Sequence, residues 1–364
     1  MPDSVEWQAD QGAYVDWARF RLLGGDELTE LSDAYAACRR AAIVRRDGFA
    51  KSFAHALVQW NAQPPANAGR VVLLEQVLDR VVAPISAAQP VLLLVMDGLS
   101  NSIFRELFAR AASHGWAELV PTSQGKPFVG VAALPTITEV SRTSLLCGRL
   151  TTGAQAQERQ GFATHPALMS TSRAEYAPRL FHKGDLADAG NLASEVRAAI
   201  ANPKQQVVGV VYNAVDDHLS GPDQLNQRWT LEDLRLLLPL LREAREARRM
   251  VIITADHGHL LEDGTTQIPG GESDRWRPGG TAASPQELAL SGGRVVTSDG
   301  SNAVVCLWGE SSRYAGRKNG YHGGLSPQEL TVPLSVFAPL GTSLADWSPA
   351  PPNQPEWWEL PPLL

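Results

Sequence analysis

Val91-Leu-Leu-Leu-Val-Met96-Asp97-Gly98 is an unbroken apolar run that stops on an acid and a glycine. Apolar residues without alternation mark a strand covered on both faces, as in a parallel sheet between layers of helices. Val207-Val-Gly-Val-Val-Tyr212 and Met250-Val-Ile-Ile-Thr254 repeat the texture. Helix-period stretches lie between them, among them Leu231 to Arg249, with Thr230 as cap and Asp233 three residues on. Buried strands alternating with amphipathic helices predict an α/β fold with a largely parallel central sheet.

Upstream, residues 1–88 carry helix periods without clear strands: Leu28-Leu31-Ala34-Tyr35-Cys38, then Phe53-Ala56-Leu57-Trp60 before Pro64-Pro65, then Val71 to Val82 before Pro84. They read as a helical lead-in to the α/β domain over 89–338. Within it, 264–320 is rich in Gly, Ser and Arg and reads as loops around a hairpin. The segment 339–364 is a tail with Pro349, Pro351, Pro352, Pro355, Pro361 and Pro362. It is expected to lie extended, with Trp347, Trp357 and Trp358 covering apolar surface.

Composition narrows the function. Of 364 residues 44% are hydrophobic and 20% charged, which excludes disorder over most of the chain. The net charge of −7 leaves no overall basic field to draw in nucleic acid, although a local basic groove is compatible with it. Cys38, Cys147 and Cys306 are too scattered for a disulfide framework or a cysteine-only metal site, and are expected in or near the core. No apolar run approaches the roughly 20 residues of a membrane span. The acidic amino-terminal residues lack the pattern of a secretory signal. The expectation is a water-soluble cytoplasmic protein.

The chemistry gathers where the apolar runs end. Asp97 follows the first, Asn213-Ala-Val-Asp216-Asp217-His218 the second, and Ala255-Asp256-His257-Gly258-His259 the third. In open parallel sheets the carboxyl ends of the strands line one crevice, so three segments would bring Asp97, Asp216 and Asp256 to one rim. Carboxylates crowded there repel one another unless a cation neutralises them. Four of the eight histidines, His218, His257, His259 and His322, sit in or beside these segments. Mixed Asp and His donors suit Zn²⁺ or Mn²⁺ better than Mg²⁺ or Ca²⁺. Taken singly, each motif also reads as an ordinary turn.

A nucleophile candidate lies in Pro135-Thr-Ile-Thr138-Glu139-Val-Ser141-Arg142, where an apolar strand from Phe128 to Leu134 meets a short helix ending at Gly148. A hydroxyl at a helix amino terminus faces free N–H groups that favour an alkoxide or a phosphoryl oxygen. Thr138 can equally be a simple N-cap, and Arg142 can reach an anionic substrate or pair with Glu139. Other polar residues are open to two readings. His259 is either a substrate contact or a structural loop residue, and His182-Lys183 is a candidate for the cleft. Arg275 and Arg277 could grip phosphates, although a solvated pair is the commoner outcome, and Arg242 to Arg249 reads as an exposed helix face.

Together these motifs, in this order, resemble the PglZ family, a branch of the alkaline phosphatase superfamily; the likeness runs over roughly 90–338. It rests on Val-Met-Asp97-Gly, Pro-Thr-Ile-Thr138-Glu-Val-Ser-Arg142, Val-Tyr-Asn-Ala-Val-Asp216-Asp-His218, Thr-Ala-Asp256-His257-Gly-His259, and Gly-Tyr-His322-Gly-Gly before Val332-Pro333-Leu334. The resemblance implies a three-layer alkaline-phosphatase-like fold and a metal-dependent phosphomonoesterase or phosphodiesterase, which can act on nucleic acid. Thr138 would be the nucleophile and Arg142 a catalytic partner. Zn²⁺, with Mn²⁺ as the alternative, would fill two positions, one at Asp97, Thr138, Asp256 and His257 and one at Asp216, His218 and His322. His259 and Lys183 would face the substrate. Family partners are a DNA methyltransferase and an ATPase of BREX phage-exclusion systems. Against this stands an idle metal-binding scaffold or signalling module in such a complex. One departure concerns the second position: many superfamily members space its Asp and His four apart, whereas Asp216 and His218 are two apart. An extended segment would put both on one side.

Overall fold

A computed structural model describes residues 1–62, 69–219, 229–271, 273–352 and 354–358. Pro64-Pro65, Pro361 and Pro362 lie outside the described residues. Nine strands form the central sheet: β1 (Val71–Leu73), β2 (Val91–Met96), β3 (Trp116–Pro121), β4 (Phe128–Val131), β5 (Arg179–Phe181), β6 (Val207–Tyr212), β7 (Met250–Thr254), β8 (Thr331–Pro339) and β9 (Trp347–Pro349). Their order is β1-β4-β8-β7-β2-β6-β5, with β3 beside β8 and β9 beside β3. β1 to β7 share one direction, and β8 and β9 run against them. The three apolar runs that suggested this architecture are the adjacent strands β7, β2 and β6, each buried along its whole length. In register, Met96 faces Tyr212 and Val95 faces Thr254, so the acids after these strands emerge side by side. Because β8 is antiparallel, its beginning, not its end, lies at that rim, and the preceding loop delivers His322 there.

The amino-terminal region is helical, as its periods suggest, with one exception. The Leu28–Cys38 pattern, from Leu31 on, and the Phe53–Trp60 pattern belong to a single helix, α1 (Thr29–Ala62). Its second half buries Phe53, Leu57 and Trp60 against Val71, Val129 and Val131 of the outer strands and Val304 and Cys306 beyond. Its first half is largely exposed, so Cys38 is an exposed thiol, whereas Cys147 and Cys306 are buried. The exception is Val71 to Val82, expected as a helix. Val71 to Leu73 pair with Val129 to Val131 as an edge strand, and helical turns start only at Leu74. A free sheet edge outweighs local helix preference for β-branched residues. With β9 at the other end, the sheet therefore draws on residues outside 89–338.

One further helix departs from its sequence reading for physical reasons. The helix expected over Leu231 to Arg249 is shorter, α5 (Leu237–Glu246). That start puts Pro239 in the first turn, where no N–H is needed; an earlier start would leave the Arg235 carbonyl without its donor. The Tyr212 hydroxyl donates to that carbonyl instead. At the far end Arg249 is buried, not exposed. It donates to the carbonyls of Ile200 (2.6 Å), Gln205 (2.7 Å) and Asn202 (2.9 Å), and desolvation lowers its pKa to about 10. The Gly-rich stretch holds a three-stranded antiparallel sheet: Trp276–Pro278, Ala303–Leu307 and Glu287–Ser291. In the tail, Trp347 opens β9 against Phe128, and Trp358 packs on Tyr14 and Trp17. No described helix is long and apolar enough to cross a membrane.

Candidate metal centre and nucleophile

Asp97 continues the β2–β6 ladder by one bond, its N–H donating to the Tyr212 carbonyl at 3.0 Å. Gly98 then turns the chain with φ +73°, a conformation side chains resist. Its N–H donates to Asp256 Oδ1 at 3.1 Å, and the His257 N–H donates to the same oxygen at 2.9 Å. Asp256 is thus aimed by two backbone donors, while its other oxygen, Oδ2, is buried without a hydrogen-bond partner. Gly258 allows the loop to pass the turn Pro327–Leu330; a Cβ there would stand 2.0 Å from the Gln328 carbonyl oxygen.

Thr138 is the first residue of α2 (Thr138–Cys147), which ends on Gly148 at φ +64°, as its sequence suggests. The cap position falls to Ile137, so the N-cap reading of Thr138 is not the one observed. Its Oγ1 stands 3.4 Å from Asp97 Oδ1 and 3.4 Å from His257 Nε2. Ser141, one turn on, anchors α2 by donating to the Asp256 carbonyl at 2.6 Å. The His257 Nδ1–H donates to the Gly258 carbonyl at 3.0 Å, which leaves Nε2 as a lone-pair donor. That nitrogen lies 3.8 Å from Asp97 Oδ1 and 3.7 Å from Asp256 Oδ2.

The carboxylates of the cluster are held up in pKa even with the Arg142 guanidinium 2.7 Å from Asp97. Burial, and after it the Asp256 charge, raises the Asp97 carboxyl to about 7, and burial also raises that of Asp256. The donor atoms of Asp97, Asp256 and His257 lie within 4.8 Å of one another. Neighbouring donors on one tetrahedral Zn²⁺ stand roughly 3.3 Å apart at Zn–O and Zn–N bonds of about 2.0–2.1 Å. The separations of His257 Nε2 from the two carboxylates, 3.8 and 3.7 Å, are a few tenths of an ångström wider. With Asp256 Oδ2 uncommitted, the residues fit a divalent cation.

The second set of candidates is looser. Asp216 lies on α4 (Ala214–Leu219), a helix where the sequence suggested an extended segment. Positions two apart on a helix face different ways, which removes the argument that Asp216 and His218 share a side; the His218 side chain lies outside the described residues. Asp216 packs over the Gly98 turn and lines a cavity of about 130 Å³ with His259, His322, Asp274 and Lys318. His322 stacks on His257, ring centres 4.2 Å apart, and its Nδ1–H donates to the Thr136 carbonyl at 3.2 Å. His259 likewise donates Nδ1–H to the Gly98 carbonyl at 2.6 Å, and burial holds its imidazole down to about 4. Asp274 and Lys318, which nothing in their loop sequences singled out, close the cavity with an ion pair of 2.8 Å.

The remaining candidates divide clearly. Arg142 is buried and turns to Asp97 Oδ2 at 2.7 Å and Glu158 at 3.0 Å, where the sequence offered Glu139. Lys183 sits at the rim, paired at 2.6 Å with the half-exposed Asp217. His182 does not reach the cleft; it is buried against Glu158. Arg275 and Arg277 are not phosphate grips either. Arg275 is fully buried among Glu329, Ser312 and Gly309, and Arg277 pairs with Glu287.

No curated protein sequence matches the chain. Murine ectonucleotide pyrophosphatase/phosphodiesterase 5 is similar in structure at 13% identity, over 68% of this chain and 88% of that one, with a TM-score of 0.40. An inactive form of the murine protein in complex with AMP gives 13% identity, 68% and 87% coverage and a TM-score of 0.39. Phosphonoacetate hydrolase from Sinorhizobium meliloti 1021 gives 12% identity, 68% and 89% coverage and a TM-score of 0.40. The model of the BREX system PglZ alkaline phosphatase-like domain matches residues 77–337, and the chain belongs to the PglZ family.

Proposed function

We propose that the chain is a metal-dependent phosphohydrolase acting on phosphomonoesters or phosphodiesters through Thr138. One observation carries the reading: the Thr138 hydroxyl opens a helix within 3.4 Å of both Asp97 and His257, and His257 Nε2 lies 3.7 Å from an Asp256 oxygen buried without a hydrogen-bond partner. A hydroxyl that merely capped the helix would bond its own backbone N–H groups.

Asp97, Asp256, His257 and Thr138 would hold the first cation, with Zn²⁺ or Mn²⁺ suiting the donors. When bound, such an ion lowers the pKa of a coordinated hydroxyl and offsets charge on phosphoryl oxygens. The chain supplies the rest. As Oγ1 bonds to phosphorus, the ester bond to the leaving oxygen breaks, the Thr138 proton is given up to solvent and the leaving oxygen takes a proton from solvent. The first N–H groups of α2 face the phosphoryl oxygens, as helix amino termini do for anions. Water then bonds to phosphorus and releases Oγ1, restoring the hydroxyl.

A second cation position is proposed at Asp216 and His322, with His259 facing the same cavity, and Lys183 at the rim beside incoming substrate. Family membership supports cytoplasmic partners of the BREX type, a DNA methyltransferase and an ATPase, and nucleic acid as one phosphodiester substrate. The test is hydrolysis of an aryl phosphomonoester and an aryl phosphodiester, with metal content measured on the same sample. Chelation and Thr138→Ala should each abolish turnover, and the variant should keep its fold. Bound metal without turnover on either ester selects the idle scaffold instead.

A further inference from the structure

Asp97 is held on both sides. Its Oδ1 faces Thr138 and His257, while Oδ2 accepts from Arg142 Nη1 at 2.7 Å and from Asn213 Nδ2 at 2.7 Å. Arg142 is fixed in turn, since its Nε donates to Glu158 Oε1 at 3.0 Å. Glu158 accepts from the Thr143 hydroxyl on that oxygen at 3.2 Å and from His182 Nε2 on the other at 2.6 Å. The chain His182–Glu158–Arg142–Asp97 thus starts just past the edge strand β5 and ends at the candidate cation position. Glu158, on α3 (Gln155–Ala163), is wholly buried and His182 is 1% exposed.

Burying a carboxylate, an imidazole and a guanidinium is expensive, and apolar residues of similar volume would stabilise the same space as well or better. A role beyond stability accounts for keeping them there. Residues behind a metal ligand fix its orientation and basicity, and their removal costs affinity without touching the ion. We infer that Glu158 and His182 are positioning residues of the metal centre: they hold Arg142 on Asp97 Oδ2, so that Oδ1 stays turned to the cation. Arg142 is then a positioning residue as well, engaged with protein carboxylates on two of its nitrogens. The inference rests on the metal reading of the preceding section.

The test uses Co²⁺ as probe on the full chain, reading its visible absorption and its affinity by chelator competition, alongside the thermal midpoint of the metal-free protein. Glu158→Gln and His182→Leu should weaken Co²⁺ binding about 10–100-fold and shift its spectrum. His182→Gln, which keeps a donor toward Glu158, should recover most of the affinity. A purely structural pair would lower the midpoint and leave affinity and spectrum unchanged; that result overturns the inference. Should Glu158→Gln fail to fold, the two His182 variants decide. Wild-type protein that binds no Co²⁺ would sink the metal reading itself, whereas wild-type binding with unchanged variants sinks only the positioning role.

Discussion

The candidate site has an inner and an outer half, and they differ in how completely the fold builds them. In the inner half Asp97, Asp256 and His257 are buried, and hydrogen bonds to backbone groups or buried side chains fix each one. In the outer half Asp216 stands on a six-residue helix, and Asp274 is tied up by Lys318. The difference follows from the sheet. Inner residues come within three positions of strand ends that are hydrogen-bonded to each other, whereas outer residues hang on longer connections. Preorganisation therefore belongs to the inner centre, and the outer cavity should respond more softly to change.

The sharpest break of that comparison concerns Thr138. Thr138→Ala should lower turnover by at least about a thousandfold, the scale of losing a covalent nucleophile. The thermal midpoint of the metal-free protein should hardly move, because Asp97, Asp256 and His257 do not depend on Oγ1 for their orientation, and metal should still bind through those three, more weakly for the lost fourth donor. Activity above a tenth of wild type would take Thr138 out of the chemistry and leave the inner centre with a structural role.

Metal affinity separates the halves next. Asp256→Asn should weaken the tighter equivalent of Zn²⁺ by more than about 100-fold, beyond the effect of losing a supporting residue. Asp216→Asn should leave that equivalent within a few-fold and act on a weaker one. Thermal scans offer an independent readout. A ligand that binds only the folded protein stabilises it by about 2.7 kcal/mol at a hundredfold excess over Kd. That gain should persist in Asp216→Asn and vanish in Asp256→Asn. Equal responses from both variants would mean one shared site and erase the distinction.

The same division explains what could be read before the structure. β2, β6 and β7 were legible because burial on both faces writes a continuous apolar run, and the acids that end them inherit the sheet's register. Thr138 was legible because a Pro-Thr turn and Gly148 bracket its helix. Glu158 was not: in Gln155-Ala-Gln-Glu158-Arg-Gln160 it looks like one more charge on a solvated helix, and only the packing of α2 against α3 buries it. Asp216–His218 misled because their spacing has opposite meanings on a strand and on a helix. The strand β1 was missed for a related reason. Its pairing partner lies more than 50 residues downstream, at Val129 to Val131, so no local pattern announces it.

A stability contrast sharpens the reading of the arginines. Arg275 has no side chain of the candidate site among its partners and sits between Glu329 and loop carbonyls, so Arg275→Ala should cost about 3–5 kcal/mol, the price of orphaning a buried carboxylate. The fraction that remains folded at low temperature should keep its metal affinity. Arg142→Ala should do the reverse in emphasis, weakening metal binding out of proportion to its stability loss. Denaturant melts run beside metal titrations would expose any exchange of these roles.

The smallest expected effect lies in the outer cavity. Lys318 presents an ammonium to Asp274 at 2.8 Å and lines the same space as Asp216, His259 and His322. A cation entering that space competes with the ammonium for the Asp274 oxygens and is repelled by its charge. The pair is partly exposed, with Lys318 at 47%, so solvent screens it and its strength is modest, about 0–1 kcal/mol. Lys318→Met should therefore raise affinity for a second equivalent of Mn²⁺ by no more than about fivefold and leave the first equivalent untouched. Titration of Mn²⁺ into protein already saturated at its tight site separates the two. An unchanged second equivalent would mean that Asp274 and Lys318 stand outside the cation's reach, and a weakened first one would mean that the cavity and the inner centre are a single electrostatic unit.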